Sequence, residues 1–395
     1  MSAAGQPARV LIVTFGQIVP PSGGIAVRSV IVARCLAELG FRVHLLSVGE
    51  RDRPDTRHTE TTEMVDSNHG YGLPDGAELT PLSSHSMFAL GNRARNVLRS
   101  AIADSDVVIV ESALLLPAVV LAGGRRAIIW DTNECETLHY ARLPTSPTLA
   151  VKRLVWYWLE RWSIRIADVV VSVSAAEASQ WVRLFPRCKA KLMVADHAVL
   201  RERRGTLATQ KQGIPEVVFV GDMHAKHNHA AVMWTLEHVL PVLAGRARLV
   251  LAGSGTQELS PSSREVELLG FVDDLSEVLI RADVCIAPLL AGAGVKTKML
   301  DYVRQGCRIL ATPPAIEGIE DCPGVTVATL AEFPQALLQM LEDPESAEQA
   351  LTRREAQAQW YEDHCGQDHL IEQWTAILER VGVLSAGRGM PLSPR

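Results

Sequence analysis

Continuous apolar runs recur along this chain, each followed by a stretch with helical periodicity, and the whole alternation occurs twice. "RVLIVTF" (9–15) is apolar at almost every position, which suits a strand buried on both faces of a parallel sheet. A loop with Pro20, Pro21, Gly23 and Gly24 follows. A helix then carries Val27, Val30, Ile31, Leu36 and Leu39 and ends at Gly40. "RVHLLSV" (42–48), "DVVIVES" (106–112), "RAIIWDT" (126–132) and "DVVVSVS" (168–174) continue the series, interrupted by a polar, turn-rich stretch from 50 to 90. Residues 201–215, "RERRGTLATQKQGIP", lack apolar periodicity and read as a linker. The alternation restarts with "EVVFVG" (216–221), a helix from 228 to 244, "RLVLAGSG" (248–255), "VELLGFV" (266–272), "DVCIAPL" (283–289) and "CRILAT" (307–312). Strand, crossover helix, strand is the grammar of a doubly wound α/β sheet, here predicted twice.

With 395 residues the chain exceeds one ordinary core, so the two halves are expected as separate domains, 1–205 and 206–345. Residues 346–383 read as helices bracing the two, with Leu370, Ile371, Trp374, Ile377 and Leu378 on one apolar face, and 384–395 as a disordered tail. The formal net charge of −6 argues against bulk nucleic-acid binding. "MSAAGQPARVLIV" has no charged region ahead of a long apolar one, and no apolar run approaches membrane-spanning length. The seven cysteines are scattered and contain no CxxC pair, as expected of reduced thiols in a cytoplasmic protein without a structural zinc.

Residues 291–306, "AGAGVKTKMLDYVRQG", concentrate the chemistry. Gly292 and Gly294 permit close backbone approach to a ligand. A helix opening near Lys296, Thr297 and Lys298 would add unpaired N–H groups, a positive dipole end and two ammonium groups. Those features together call for an anion, a phosphate above all. Asp301 would repel one, so it must serve another part of the ligand or none. On a helix it shares a face with Lys298. The plain reading, a solvated face with an i,i+3 ion pair, stands beside this one. A P-loop lacks its glycine directly before the lysine.

"LLAGAGVKTKMLDYVRQGCRILATPPAIEGI" resembles the corresponding stretch of GT-B-fold glycosyltransferases of family 4, the retaining group 1 enzymes. "VVFVGDMHAKHNHAAVMWTLEHVLP", "LVLAGSG", "LLGFVDDL", "ADVVVSVSAAEA" and "PPSGGIAVRSVIVARCLAELGFRVHLLS" support the resemblance, which covers most of 9–330. It implies two Rossmann-like domains facing across a cleft. It also implies transfer of a sugar from a nucleoside-diphosphate donor to a hydroxyl or amine acceptor, with retention and without a metal or other cofactor. The acceptor class stays open among small molecules, glycans and lipid-linked precursors. The resemblance gives Lys296 or Lys298 to the diphosphate and Asp301 to the ribose. Where family members often carry two glutamates seven residues apart, this chain has Ala293 and Asp301. Two alternatives stay open: another GT-B enzyme, such as a nucleotide-sugar epimerase, and, through the missing first glutamate, a non-catalytic nucleotide-sugar-binding subunit.

The remaining candidates rest on the same resemblance. Gly253 and Gly255 would lie along the nucleotide, and backbone around Phe271 and Val272 would meet the base. A plain helix cap at Asp273 or Asp274 is compatible with the latter. In "DMHAKHNHA", His224, His227 and His229 surround Lys226, but only Asp222 could join them as a fourth ligand, so Lys226 and His224 are read as donor contacts rather than metal ligands. Gly23 and Gly24 would let the first domain approach the donor phosphate or the acceptor; a bare turn is the alternative. "WDTNECETLHY" (130–140) would supply the acceptor side through Asp131, Asn133 and Glu134, with Glu136 close by, and His139 reads equally well as a partly buried structural histidine. Glu134 joins Lys296 and Lys298 as a catalytic candidate. Finally, "VKRLVWYWLERWSIRI" (151–166) is aromatic and basic, as in a membrane-surface helix. Its Val151, Leu154, Val155, Trp158, Leu159, Trp162 and Ile166 nevertheless fall on a core-like stripe, which predicts a docking helix with Trp156 and Tyr157 exposed.

Overall fold

A computed structural model of the chain describes residues 7–16, 18, 23–49, 63–64, 73–74, 77–82, 92–123, 126–143, 146–199, 213–261, 263, 265–272, 274–292 and 294–384. Pro20, Pro21, Asp273, Ala293, linker residues 201–212, the tail from 385 and most of the 50–90 stretch lie outside these residues. Residues 1–200 and 365–395 form one compact unit, and 201–364 form another.

Unit 1 is built on β1 (Arg9–Phe15), β2 (Arg42–Val48), β3 (Glu63–Met64), β4 (Glu78–Leu82), β5 (Val107–Val110), β6 (Ala127–Asp131), β7 (Val169–Ser172) and β8 (Leu192–Val194). Their spatial order is β3-β4-β2-β1-β5-β6-β7-β8. Pairing is parallel, from Arg9↔Arg42 to Phe15↔Val48 between β1 and β2, except that β3 runs antiparallel at the edge. Helices α1 (Gly23–Glu38), α2 (Asn92–Ala103), α3 (Leu116–Ala122), α4 (Glu136–Arg142), α5 (Pro147–Ile166) and α6 (Ala175–Leu184) provide crossovers. Fully buried Trp181 on α6 meets Trp130 of β6 edge-on, 5.3 Å between centroids, and anchors one half of the core.

Unit 2 orders its strands β11-β10-β9-β12-β13-β14, all parallel. These are β9 (Glu216–Val220), β10 (Arg248–Ala252), β11 (Val266–Gly270), β12 (Val284–Ala287), β13 (Ile309–Ala311) and β14 (Val325–Val327). Its first crossover, α7 (Lys226–Trp234), passes through a π turn at Thr235–Val239 into α8 (Leu240–Leu243). α9 (Leu275–Arg281), α10 (Thr297–Gln305), α11 (Phe333–Glu342) and α12 (Ala347–Cys365) follow. Asp274 caps α9 by accepting from the Ser276 amide at 3.0 Å. Both sheets are doubly wound, as the alternation predicts.

Two expectations need correction. The second unit runs to His364 rather than 345, so the C-terminal helices divide between the units. α13 (Gln367–Arg380) belongs to unit 1, where its predicted face of Leu370, Ile371, Trp374, Ile377 and Leu378 is buried and Gln373 Nε2 donates to Asp196 at 2.7 Å. α5 keeps only the later part of its predicted docking stripe. Leu159 and Trp162 pack on the core, together with Trp156 and Tyr157, which are expected exposed, whereas Val151, Leu154, Val155 and Trp158 face solvent. The stripe is real, but Glu160, Ser163 and Ile164 on the opposite side are the buried ones.

Candidate functional site

In unit 2 the strand order reverses between β9 and β12, and ligands of open α/β sheets bind outside the carboxyl ends of strands at such a switch point. The loop after β9 and the start of α10, which follows β12, both lie there. Gly221 and Gly253 make the strand ends close-packed. The Gly221 amide donates to Ala252 at 2.9 Å, and a Cβ on Gly253 would stand 2.1 Å from the Gly221 carbonyl oxygen. With φ of +131° as well, Gly253 is required by backbone contact. Gly255, at φ +76°, opens a short 3-10 turn packed on Met223 and His224. Both predicted glycines are therefore fixed by the loop's own packing.

α10 begins with Lys296 as its N-cap, in extended conformation. The Lys296 side chain folds back over Gly292, where a Cβ would come within 2.8 Å of Cε, and its ammonium donates to the Gly294 carbonyl at 2.5 Å. Gly294 has φ of +67°, which suits it to this reversal. Lys298 points inward. Its ammonium donates to Asn228 Oδ1 at 2.6 Å and sits 4.0 Å from the centroid of the Phe219 ring. Burial, with the Lys296 charge as a smaller contribution, lowers its pKa to about 7. Asn228 in turn donates to the Asp222 carbonyl at 3.0 Å, joining α10 to the β9 loop. Tyr302 completes the seam by accepting from the Val220 amide at 2.9 Å.

Of the other predicted donor residues, Thr297 is the first residue of α10 and half-buried, and Asp301 is buried one turn on. His224 is exposed and bonded through Nδ1 to Asp222 Oδ1 at 2.7 Å, which raises its pKa. Lys226 is exposed at the start of α7. Phe271 is exposed and Val272 half-buried just past β11. Gly23 and Gly24 belong to unit 1, as the first two residues of α1.

The predicted acceptor residues also belong to unit 1, and Asp131 is not available there. It is wholly buried and bound in bidentate fashion by Arg28, with Nε at 2.8 Å and a terminal nitrogen at 2.7 Å. Burial opposes the Arg28 charge, but the Asp131 carboxylate outweighs it and raises the arginine pKa. Arg28 also donates to the carbonyls of Ala195 at 3.0 Å and Asp196 at 3.2 Å, so the pair clamps α1, β6 and the segment after β8 together. Asn133 donates to the Glu111 carbonyl at 2.9 Å. Glu134 is half-buried, 3.4 Å from His139 Nδ1. Glu136 is raised to about 7 by burial and by Glu134. Glu160, from α5, accepts the Glu136 amide at 2.8 Å and the Thr137 hydroxyl at 2.5 Å, and so fixes the start of α4.

Several of these groups are missed from sequence. Arg28 had a signal, since a charge inside the apolar stripe of "GGIAVRSVIVARC" needs a buried partner. Glu111 follows an apolar strand and takes the Ser29 hydroxyl, which bonds Thr14 at 2.8 Å. Burial raises Glu111 to about 8. Asn228 is hidden among the histidines that draw attention in its loop. Among the described residues no group of three or more His, Cys, Asp or Glu is placed to hold a metal ion.

Residues 22–202 match the family model described as Glycosyltransferase Family 4, and residues 214–343 the one described as Glycosyl transferases group 1. No curated protein matches the chain. Among solved structures, a glycosyltransferase from Rickettsia africae ESF-5 is 12% identical, with a TM-score of 0.66 over 95% of this chain and 98% of that one. Anabaena HepE in complex with UDP-glucose is 14% identical, with a TM-score of 0.66 over 95% of this chain and 100% of that one. Sucrose-phosphate synthase from Thermosynechococcus elongatus is 12% identical, with a TM-score of 0.65 over 95% and 97% respectively. At such identities the likeness is one of fold.

Proposed function

The chain belongs to the family 4, group 1 glycosyltransferases of GT-B fold, and on that premise we propose that it moves a sugar from a nucleoside-diphosphate sugar to a hydroxyl or amine acceptor, with retention of anomeric configuration. The observation that carries this reading is the basic turn opening α10. Two ammonium groups, Lys296 and Lys298, meet there with the first amides of the helix at the switch point of the unit 2 sheet. Such a turn suits a diphosphate, whose charge grows as the glycosidic bond breaks. To reach it Lys296 gives up the Gly294 carbonyl, and Lys298 the neutral amide of Asn228 and the face of the Phe219 ring. These cations and the helix dipole supply the leaving-group stabilisation in place of a metal. In unit 1, Glu134 would orient an acceptor hydroxyl; its half-buried carboxylate supports this role better than that of Asp131, which Arg28 engages. The seven buried free thiols fit a reducing, cytoplasmic setting.

Thermal shift of the full-length protein against a panel of nucleoside-diphosphate sugars tests the reading. A cognate donor at about a hundredfold its Kd should stabilise by about 2.7 kcal/mol. That donor should turn over with an acceptor, NMR showing the product with the donor's anomeric configuration. A panel without any stabilising donor, or transfer with inversion, overturns the proposal.

A further inference from the structure

α5 presents an apolar strip to water. Val151, Leu154, Val155 and Trp158 are 62%, 57%, 59% and 58% exposed, and their i, i+3, i+4, i+7 spacing puts them on one side. The opposite side, through Glu160, Ser163 and Ile164, is buried in unit 1. Four such side chains together make a contiguous patch, unlike the scattered apolar residues of an ordinary surface.

The exposed charges of α5 itself have one sign. α5 carries Lys152, Arg153, Arg161 and Arg165, and its sole carboxylate, Glu160, is 1% exposed and spent on the Glu136 and Thr137 amides. On the helix circle Arg161 and Arg165 border the strip on one side and Lys152 on the other. The Arg161 guanidinium lies 5.8 Å from the Trp158 ring centroid. The surface of α5 is thus cationic in a chain of net charge −6. Two copies pairing through this face would bring these cations together without an acidic counterpart on the helix. A tryptophan and aliphatic side chains edged by Lys and Arg instead match the boundary of an anionic bilayer, where acyl chains take the strip and lipid phosphates the cations.

We propose that α5 docks the protein on the surface of a membrane containing anionic lipid, lying in the headgroup plane through Val151, Leu154, Val155 and Trp158. Among the described residues no helix is long and apolar enough to cross a membrane, so this attachment is peripheral. It is independent of which nucleotide-sugar the protein uses.

Co-sedimentation of the full-length protein with vesicles of phosphatidylcholine, alone or mixed equally with phosphatidylglycerol, tests this. Binding is expected to the mixed vesicles, weakened by salt, with little to phosphatidylcholine alone. The pair Lys152→Gln and Arg165→Gln should weaken partition by about fivefold per residue, the equivalent of ~1 kcal/mol for each cation at an anionic surface. The pair Leu154→Ser and Trp158→Ser should abolish it. All four positions are solvent-exposed, so both variants should keep the thermal midpoint of the parent. Failure to bind the mixed vesicles, or equal binding by the variants, overturns the proposal. So does concentration-dependent self-association, or capture of an acidic protein, that the Leu154→Ser and Trp158→Ser pair abolishes in a protein indifferent to vesicles.

Discussion

The Lys298 ammonium donates to Asn228 Oδ1 at 2.6 Å, a buried cation held by a neutral acceptor. Burial and the Lys296 charge bring its pKa to about 7, so near neutrality the ligand-free protein is divided between charged and neutral forms. A diphosphate beside it would favour the charged form and raise that pKa. Donor binding is therefore expected to take up a proton. Affinity should fall as pH rises above 7, by at most about tenfold per pH unit for one proton. Calorimetry in buffers of different ionisation enthalpy reads the uptake directly. Lys298→Arg, charged at every pH used, should flatten the profile. An equally steep profile in that variant would remove Lys298 from the donor site.

Asn228 has a separate part in the same contact. Its amide holds the Asp222 carbonyl on one side and Lys298 on the other, and it is itself buried. Asn228→Ala leaves a buried ammonium without this acceptor, a loss of about 1.5–3 kcal/mol for a bond to a charged group. The Lys298 pKa should drop further, since its charged form loses support. Denaturant unfolding gives the stability change, and donor titration should show the pH-dependent loss of affinity beginning at lower pH than in the parent. Unaltered stability and pH profile would mean that another group holds the lysine.

How much of this was legible in sequence follows from the length of each signal. β1, β2, β9 and β10 were readable because five to seven consecutive residues are apolar enough for a strand buried on two faces. β8, "LMV", and β14, "VTV", have three residues each and lie at sheet edges, too short for a period to show. β4 contains a proline, "ELTPL", at a place where "turn-rich" was the natural reading. In the site, residue types were readable and partners were not. Nothing local says that Arg28 will take Asp131, 103 positions away, or that Lys298 will take Asn228, 70 away. α5 is the instructive miss, because periodicity identifies an apolar stripe without saying whether protein covers it.

Gly253 separates glycine kept for packing from glycine kept for a ligand. Its missing Cβ would fall 2.1 Å from the Gly221 oxygen, and its φ of +131° is one that side chains rarely adopt. Gly253→Ala is expected to cost about 3 kcal/mol or more, whether or not donor is present. Gly245 is the control. It has φ of +70° and open space around the Cβ position, so Gly245→Ala should cost only ~1 kcal/mol. Chemical denaturation of the two variants side by side measures the difference; equal costs would show that the β9 and β10 ends can separate.

Glu177 offers a test of the electrostatics of unit 1 by itself. Its Oε2 accepts from the Ser172 hydroxyl at 3.1 Å and the Val173 amide at 3.3 Å, while its Oε1 is buried without a hydrogen-bond partner among the described residues. Burial raises its pKa from 4.5 to about 7, and the bonds it accepts only partly oppose this. An unfolded chain releases this proton near 4.5 and the folded one near 7, so between those values the folded state binds more protons. Stability from this group is greatest below 4.5, declines as pH rises, and levels off above 7. Glu177→Gln cannot ionise, and its carboxamide oxygen can still accept from Ser172 and Val173. The stability of the variant minus that of the parent should therefore grow from pH 5 to pH 8, by an amount on the order of 3 kcal/mol. Comparing the difference cancels the opposing contribution of His197, which burial lowers to about 3. Urea unfolding of both proteins across that range decides it, and a constant difference would mean that Glu177 ionises at an ordinary pKa and that water reaches its second oxygen.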